Sequence, residues 1–405
     1  MNNSFKTLFF HVNNTVTTTP HSSVMINYHT TLQGSYILYT TAIDHLFLEA
    51  KRVEPKITKW STKGLKNANQ SESFANERYI CFAKIDGLSS GKYIYKIVSC
   101  EKESDIFSFV IEEARKEFEF IMLADMQYGN NQITHELVNK IKTIAPKASL
   151  IVGSGDLVDY GDQEDEWSSL FDNQLFDGMM LAFAPGDHEY WGEHTVKYTQ
   201  YEVPHTYLSI MHYPLNGASI CKGSNYYFKY QNILFVALDM NDSNQSKGIK
   251  FDEQVKWFIK TLEELRGSYD FLVVLEHKSL FGSTIIDSAV AKNLTPMWYP
   301  LFNKYHVNLV LSGHDHIYSR TYPLEGLTPK TNDKGTIYLD LGSSGNKRRN
   351  VDTSLLYSKL HAKVIDLKEQ DTSLGAIVNV VEKEMFVKVY NLLGEVVDEF
   401  VIQIE

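Results

Sequence analysis

The chain has 405 residues, a formal charge of −11, 43% hydrophobic residues and 22% charged residues, a balance that excludes wholesale disorder. The acidic surplus argues against a nucleic-acid-binding protein and against binding to a membrane surface through basic residues. No apolar run approaches the roughly 18 residues that a membrane span needs. The three cysteines form no CxxC pair, so neither a disulfide framework nor a thiolate metal site is indicated.

The first residues lack the apolar core and the small-residue cleavage site of a signal peptide. We therefore expect a soluble protein that stays in the cytoplasm, with a secreted mature form as the alternative. We also expect no membrane partner and no nucleic-acid partner.

Residues 9 to about 116 contain short alternating strands separated by polar turns. The predicted strands are Val24–Tyr28, Ser35–Tyr39, Tyr79–Ala83 and Lys92–Ile97. Turn segments such as Gly87–Gly91 come at intervals that suit a β-sandwich of about 100 residues. Candidate catalytic side chains do not cluster in this region. We therefore predict an all-β domain over residues 1–116 that contains no catalytic residues.

From residue 117 onward, dense apolar runs alternate with amphipathic helical patterns, and the whole acidic surplus lies here. Such runs suit strands that are buried on both faces of an α/β sheet. The five runs are Phe118–Ala124, Ser149–Val152, Met180–Pro185, Phe271–Leu275 and Val307–Ser312. Helical patterns cover Ile133–Ile144 and Glu253–Arg266, and residues 385–404 indicate a closing hairpin. We predict an α/β domain over residues 117–405.

Asp or His follows each of these five runs, at the strand ends where open α/β sheets place their ligand sites. The donors are Asp125, Asp156, Asp187, His277, His314 and His316. A single Asp after a strand is more often a helix N-cap, but independent accidents rarely give the same placement five times. Oxygen and nitrogen donors without sulfur suit Fe, Mn or Zn. Six donors exceed one tetrahedral site and are about right for two metal ions that share a carboxylate.

The ordered motifs resemble those of the calcineurin-like metallophosphoesterases. They are Asp125, Gly155-Asp156, Gly186-Asp187-His188-Glu189, the His277 segment and Gly313-His314-Asp315-His316. Gly313–Pro323 and the terminal hairpin resemble the purple acid phosphatase branch of that family, whose catalytic domain follows a sandwich. The resemblance implies a fibronectin type III-like sandwich over residues 1–116. It also implies a metallophosphatase domain of two facing mixed sheets, flanked by helices, over residues 117–405.

By the same resemblance, Asp156 bridges two metal ions. Asp125 and His316 would hold the first ion, and the second would be held by Asp187, His277 and His314. Such a pair clamps a phosphoryl group and generates a hydroxide that attacks phosphorus. His188 would bind the phosphate or protonate the leaving group.

The implied function is hydrolysis of phosphate monoesters, with a small phosphorylated molecule as the substrate. One alternative is a phosphodiesterase or nucleotide hydrolase on the same site. The other is a metal-binding member of the family with little turnover.

Four positions depart from the purple acid phosphatase pattern. Asp159 stands where the branch has its tyrosinate ligand, and Tyr160 lies one place later, so we expect neither a tyrosinate ligand nor the purple absorption band. Asp187 replaces an Asn ligand and adds negative charge. Gln127 stands where broader relatives often carry His; its amide oxygen could ligate a metal, hydrogen-bond the nucleophile or pack behind the ligands. Asp287 lies where the branch has a second histidine near the leaving group.

Two basic residues complete the set of candidates. Arg320 is expected to hold a ligand carboxylate, with simple surface cover as the alternative. Lys347 begins the run Lys347–Arg349 after Gly342–Gly345, a loop whose cations would attract phosphate. An ordinary solvated basic turn is the alternative for that loop.

Overall fold

The structure is a computed structural model that describes residues 8–61, 77–127, 131–192, 199–200, 202–241, 249–283, 288–330, 335–352 and 358–404. The strands before residue 116 are β1 (Phe9–Thr15), β2 (Val24–Thr30), β3 (Tyr36–Thr41), β4 (Lys51–Val53), β5 (Lys56–Ser61), β6 (Glu77–Ile85), β7 (Gly91–Ser99), β8 (Lys102–Glu103) and β9 (Phe107–Ile111). They include all four strands that the alternating pattern predicts, although β3 begins one residue after the predicted Ser35.

These strands divide between two antiparallel arrays. One runs β1-β2-β6-β5, and the other runs β4-β3-β7-β8 with β9 also paired to β7. Ile26 and Tyr28 of the first array belong to the same buried cluster as Ile37, Tyr95 and Phe109 of the second. Alternate residues of β3 and β7 therefore face a shared core, as a period of two requires. The fibronectin type III-like character of this region stays a prediction.

The strands after residue 116 are β10 (Glu117–Leu123), β11 (Leu150–Gly153), β12 (Met180–Phe183), β13 (Trp191–Gly192), β14 (Thr199–Gln200), β15 (Tyr226–Tyr230), β16 (Ile233–Ala237), β17 (Phe271–Lys278), β18 (Leu309–Gly313), β19 (Tyr318–Thr321), β20 (Leu324–Glu325), β21 (Thr328–Pro329), β22 (Ile337–Leu341), β23 (His361–Ile365), β24 (Leu374–Val381), β25 (Glu384–Asn391) and β26 (Val396–Gln403). The helices are α1 (Gln132–Ile144), α2 (Glu164–Leu170), α3 (His205–Ile210), α4 (Ile249–Glu264), α5 (Ser288–Lys304) and α6 (Leu367–Gln370).

Two large mixed sheets organise this part of the chain. The ten-stranded sheet has the order β26-β25-β24-β10-β11-β12-β1-β2-β6-β5, and the seven-stranded sheet has the order β15-β16-β17-β18-β22-β19-β23. Strands β10, β11 and β12 are parallel to one another, as are β16, β17, β18 and β22. Strand β1 joins β12 in parallel through Thr15 and Leu181. A single sheet therefore crosses the boundary predicted near residue 116.

Apolar side chains on both faces explain why the central strands are almost continuously hydrophobic. Phe235 of β16 faces the ten-stranded sheet, where its ring lies 5.4 Å from that of Phe120. The next residue, Val236, belongs to a separate cluster with Phe258 of α4 and Trp298 of α5. Helices thus cover the outer face of the seven-stranded sheet, while its inner face packs on the other sheet. Among the described residues, no helix combines the length and the apolar character needed to cross a membrane.

Candidate metal centre

The structure brings all six predicted donors together as two groups that share one carboxylate. The ligand atoms of each group lie within 4.8 Å of one another. One group contains Asp156, Asp187, His277 and His314, and the other contains Asp125, Asp156 and His316. No member is more than 8% exposed. Asp156 therefore lies where a carboxylate bridging two metal ions would be.

Four of the six donors project from tight turns whose backbone is strained. Asp125, Asp156, His314 and His316 have φ values of 48°, 53°, 72° and 56°, in the left-handed region that side chains other than glycine seldom adopt. Each such residue costs on the order of 1 kcal/mol or more, and such strain gathers at functional sites. The turns aim the side chains away from the strand ends and into one space.

Two glycines allow the carboxylates to lie against the backbone. A Cβ atom at position Gly186 would lie 2.0 Å from Oδ1 of Asp156, and one at Gly313 would lie 1.9 Å from Oδ2 of Asp125. Neither position has space for any side chain. This is the physical reason why glycine precedes Asp187 and His314 in the two motifs.

Hydrogen bonds orient the donors. The His314 amide donates to both Asp125 carboxylate oxygens at 3.0 Å, and the His188 amide donates to Oδ1 of Asp156 at 3.0 Å. Nδ1 of His277 lies 2.8 Å from the Ser154 carbonyl oxygen, to which it can only donate. Nε2 of His277 then faces the carboxylates, at 3.0 Å from Asp187 and 3.3 Å from Asp156. Such an outer hydrogen bond typically fixes a metal-binding imidazole.

The buried carboxylates and imidazoles of the cluster shift one another's pKa values. Burial raises the pKa of Asp125 to about 7. Burial lowers the pKa of His277, but the Asp156 and Asp187 carboxylates raise it by more, and the net pKa lies well above the ordinary value. Burial also acts to raise the pKa of Asp187, while Lys278 and His314 hold it well below the usual range. A protonated imidazole between carboxylates supplies the positive charge that a metal ion would bring.

Two buried polar atoms beside Asp125 and Asp156 have no hydrogen-bond partner among the described residues: Nδ1 of His316 and Oε1 of Gln127. The other Gln127 atom, Nε2, donates to Oδ2 of Asp156 at 2.9 Å. A buried polar group without a partner costs about 1–3 kcal/mol. Both atoms, together with the donor set, fit a metal ion held by Asp125, Asp156 and His316.

The predicted substrate-side residues lie next to the cluster. Nδ1 of His188 donates to the Asp159 carbonyl oxygen at 2.5 Å, while Nε2 lies 2.8 Å from Nζ of Lys347 and 3.6 Å from Oδ2 of Asp156. The His188 ring packs on Trp191 with 4.2 Å between centroids. The amide of Tyr160 donates to Glu166 at 3.1 Å, and the absence of a tyrosinate ligand stays a prediction. Asp287 lies outside the described residues.

The expectation for Arg320 is wrong. Its Nε donates to Asp398 of β26 at 2.7 Å, and the Tyr318 hydroxyl donates to the same carboxylate at 2.6 Å. Arg320 therefore fastens the terminal hairpin to β19 and does not hold a ligand carboxylate. The position of Arg320 close to the histidine motif in the sequence suggested a ligand carboxylate as its partner. Its actual partner, Asp398, lies 78 residues further along the chain.

Sequence reasoning gave no role to two residues whose hydrogen bonds support the donors, Glu189 and Asn241. Glu189 accepts hydrogen bonds from the amides of Asp156 at 2.9 Å, Leu157 at 2.7 Å and Gly186 at 2.6 Å. Burial raises the pKa of Glu189 to about 8. Asn241 donates to the Gly186 carbonyl oxygen at 2.9 Å. Asn241 lies four residues after the apolar strand β16, but the criterion used for the other five runs asks for Asp or His and would have pointed to Asp239 instead.

Comparison with known proteins gives a matching family and several relatives. Residues 118–318 match the calcineurin-like phosphoesterase family. An uncharacterized protein of Mycobacterium tuberculosis (strain ATCC 25618 / H37Rv) is 27% identical over 278 residues, which cover 60% of this chain and 51% of that protein. Purple acid phosphatase 1 of Ipomoea batatas is 29% identical over 114 residues, which cover 26% of this chain and 24% of the plant protein. The chain thus matches about half of the mycobacterial protein and a quarter of the plant one.

Two solved structures share the fold. Purple acid phosphatase PPD1 from yellow lupin has a TM-score of 0.76 at 14% identity, over 98% of this chain and 74% of that chain. PhoD has a TM-score of 0.61 at 13% identity, over 99% of this chain and 94% of that chain. Together with the clustered donors, the family match shows that the chain carries a domain of the calcineurin-like phosphoesterase family over residues 118–318.

Proposed function

We propose that this protein hydrolyses phosphate monoesters of small molecules with two metal ions. The observation that carries the proposal is the pair of donor groups sharing Asp156. Asp125 and His316 would complete the first site, and Asp187, His277 and His314 would complete the second. Their oxygen and nitrogen atoms suit Fe, Mn or Zn. When bound, two such ions would stabilise charge on the phosphoryl oxygens and lower the pKa of a water molecule.

Hydrogen bonds from the chain itself orient the predicted metal ligands, and the ligands are buried. Three amides fix the Glu189 carboxylate beneath Asp156, and the Ser154 carbonyl oxygen orients His277. Preorganised donors of this kind avoid a reorganisation cost during the reaction. The Lys347 and Asp159 side chains keep 25% and 20% of their exposure, so we infer that substrate approaches from their side.

A phosphodiesterase or nucleotide hydrolase is the second candidate, and one observation favours it. Asp159 places a carboxylate at the same entrance, 3.6 Å from Nδ1 of His188. A carboxylate there repels the dianion of a monoester more than the monoanion of a diester. The extra charge of Asp187 acts in the same direction and also supports a weakly active member of the family.

Hydrolysis after metal reconstitution tests the proposal. We would load the protein with Fe, Zn or Mn, measure bound metal by elemental analysis, and compare an aryl monophosphate, an aryl diester and a panel of nucleotides. Asp156→Asn should remove bound metal and activity together, because both donor groups lose their shared carboxylate. Asp86→Asn is the matched control, since it neutralises an exposed carboxylate just after β6 in the N-terminal part of the chain. Metal-loaded wild type that cleaves no phosphoester would contradict the proposal.

A further inference from the structure

One lysine of the loop after β22 faces the candidate centre. Nζ of Lys347 lies 2.8 Å from Nε2 of His188 and 4.0 Å from Oδ1 of Asp159. An ammonium group can only donate, so Nε2 of His188 accepts this hydrogen bond. The His188 proton is then on Nδ1, which donates to the Asp159 carbonyl oxygen. The proton that faces the cluster therefore belongs to Lys347 and not to His188.

The position of this lysine is set by the strand end that carries Asp125. Ser343 Oγ donates to the Asp125 carbonyl oxygen at 3.1 Å, and the Gly345 amide donates to the same oxygen at 2.9 Å. A Cβ atom at Gly345 would lie 2.4 Å from the Gln127 carbonyl oxygen, so the loop lies directly on the segment after β10. Lys347 follows two residues later. The hydrogen bonds that fix this loop to Asp125 therefore also position Lys347 beside the predicted metal ligands.

The neighbouring cations have other partners. Arg348 pairs with Asp371 and donates to Ser373 Oγ at 3.2 Å, whereas Nη1 of Arg349 donates to the His314 carbonyl oxygen at 3.0 Å. Lys347 has one hydrogen bond to His188 within the described part of the chain and keeps 25% of its side-chain exposure. It therefore retains N–H donors for an incoming anion.

We propose that Lys347 binds a phosphoryl oxygen of the substrate and makes the site prefer phosphate monoesters over diesters. A monoester presents three terminal oxygens, enough for two metal ions and a further donor, whereas a diester has one fewer. Lysine binds phosphate as a point charge, which favours a dianion. This inference rests on the proposed function and extends it to a residue that chooses the substrate.

Metal-reconstituted wild type, Lys347→Met, Lys347→Arg and Lys363→Met provide the test. Lys363 is exposed on β23 of the seven-stranded sheet, so its replacement removes the same charge elsewhere. We would measure kcat/KM for an aryl monophosphate and an aryl diester, the dissociation constant of inorganic phosphate by calorimetry, and metal content. A lost charge-assisted hydrogen bond lowers affinity roughly 10- to 100-fold.

Lys347→Met should weaken phosphate binding and monoester turnover by that factor, change diester turnover much less, and keep its metal. Lys347→Arg should recover part of the loss, and Lys363→Met should match wild type. Unchanged phosphate binding, or equal losses for both substrates, would overturn the inference. If wild type binds metal and phosphate but cleaves nothing, the proposed function fails, while weaker phosphate binding in Lys347→Met would still support the lysine's role. If wild type binds no phosphate, the inference fails, and turnover of the monoester still decides the proposed function.

Discussion

A buried ion pair links the N-terminal strands to the loop that carries the shared carboxylate. Arg78 of β6 donates to Glu164, the first residue of α2, and the two side chains are 1% and 3% exposed. His11 of β1 lies 3.3 Å from the other Glu164 oxygen. Glu166, in the same helix as Glu164, accepts a hydrogen bond from the Asp159 amide at 2.5 Å. Strands of the first array therefore hold the helix that positions part of the site.

Arg78→Met should lower the free energy of unfolding by about 3–5 kcal/mol, because it leaves the Glu164 carboxylate buried with only His11 nearby. The lost contact of the guanidinium with the Trp60 ring, 4.5 Å from its centroid, acts in the same direction. Replacing both Arg78 and Glu164 with Met removes the uncompensated charge. The double variant should therefore lose much less stability than the single one.

Urea unfolding followed by circular dichroism and by tryptophan fluorescence would measure these differences. Arg52→Met is the control, because Arg52 pairs with Glu54 at the surface, where the side chains are 57% and 66% exposed. An exposed pair contributes about 0–1 kcal/mol. The reasoning would be refuted if Arg78→Met cost no more stability than Arg52→Met, or if the double variant lost as much stability as the single one or more.

Three further outcomes are expected. Iron-loaded protein should lack the purple absorption band, because Asp159 stands at the sequence position where purple acid phosphatases have their tyrosinate ligand; a band in the visible spectrum of that sample would show that Tyr160 or another tyrosine ligates. Chelation should lower the melting temperature by about 5 °C relative to protein at a hundredfold metal excess over Kd, since bound metal stabilises the folded state; equal melting curves would argue against a bound ion. Burial acts to raise the pKa of Asp398, but Arg320 and Tyr318 lower it below its usual value. The stabilising contribution of Asp398 to the free energy of unfolding is therefore complete above about pH 4 and lost at lower pH. The free energy of unfolding of Asp398→Asn should then depend less on pH below about 4 than that of wild type. The same pH dependence in both proteins would count against this.

The ligand positions could be predicted from the sequence because they depend on local signals. An apolar run followed by Gly-Asp or Gly-His marks a buried strand and a turn without space for a Cβ atom, as Gly186 and Gly313 show. The helix at Ile133–Ile144 was predicted within one residue of α1, and α4 begins four residues before the predicted Glu253. His277 is an exception. It lies inside β17, where the register with β18 shifts between Leu275 and Lys278.

Contacts between distant segments were not predictable from one sequence. The contact of Lys347 with His188 joins residues 159 positions apart, and the pairing of β1 with β12 joins two strands with no shared pattern. Arg320 found its carboxylate partner in the closing hairpin. Residue type predicts that a cation will pair with an anion, but only the tertiary fold chooses which anion.

The shared ten-stranded sheet has a consequence for any shortened form of the protein. Without residues 8–116, β12 would lose its neighbour β1 and become an outer strand with unpaired N–H and C=O groups. Bare strand edges recruit strands from other chains. The array that contains β1 therefore protects that edge of β12. A fragment beginning at residue 117 would tend to self-associate through β12.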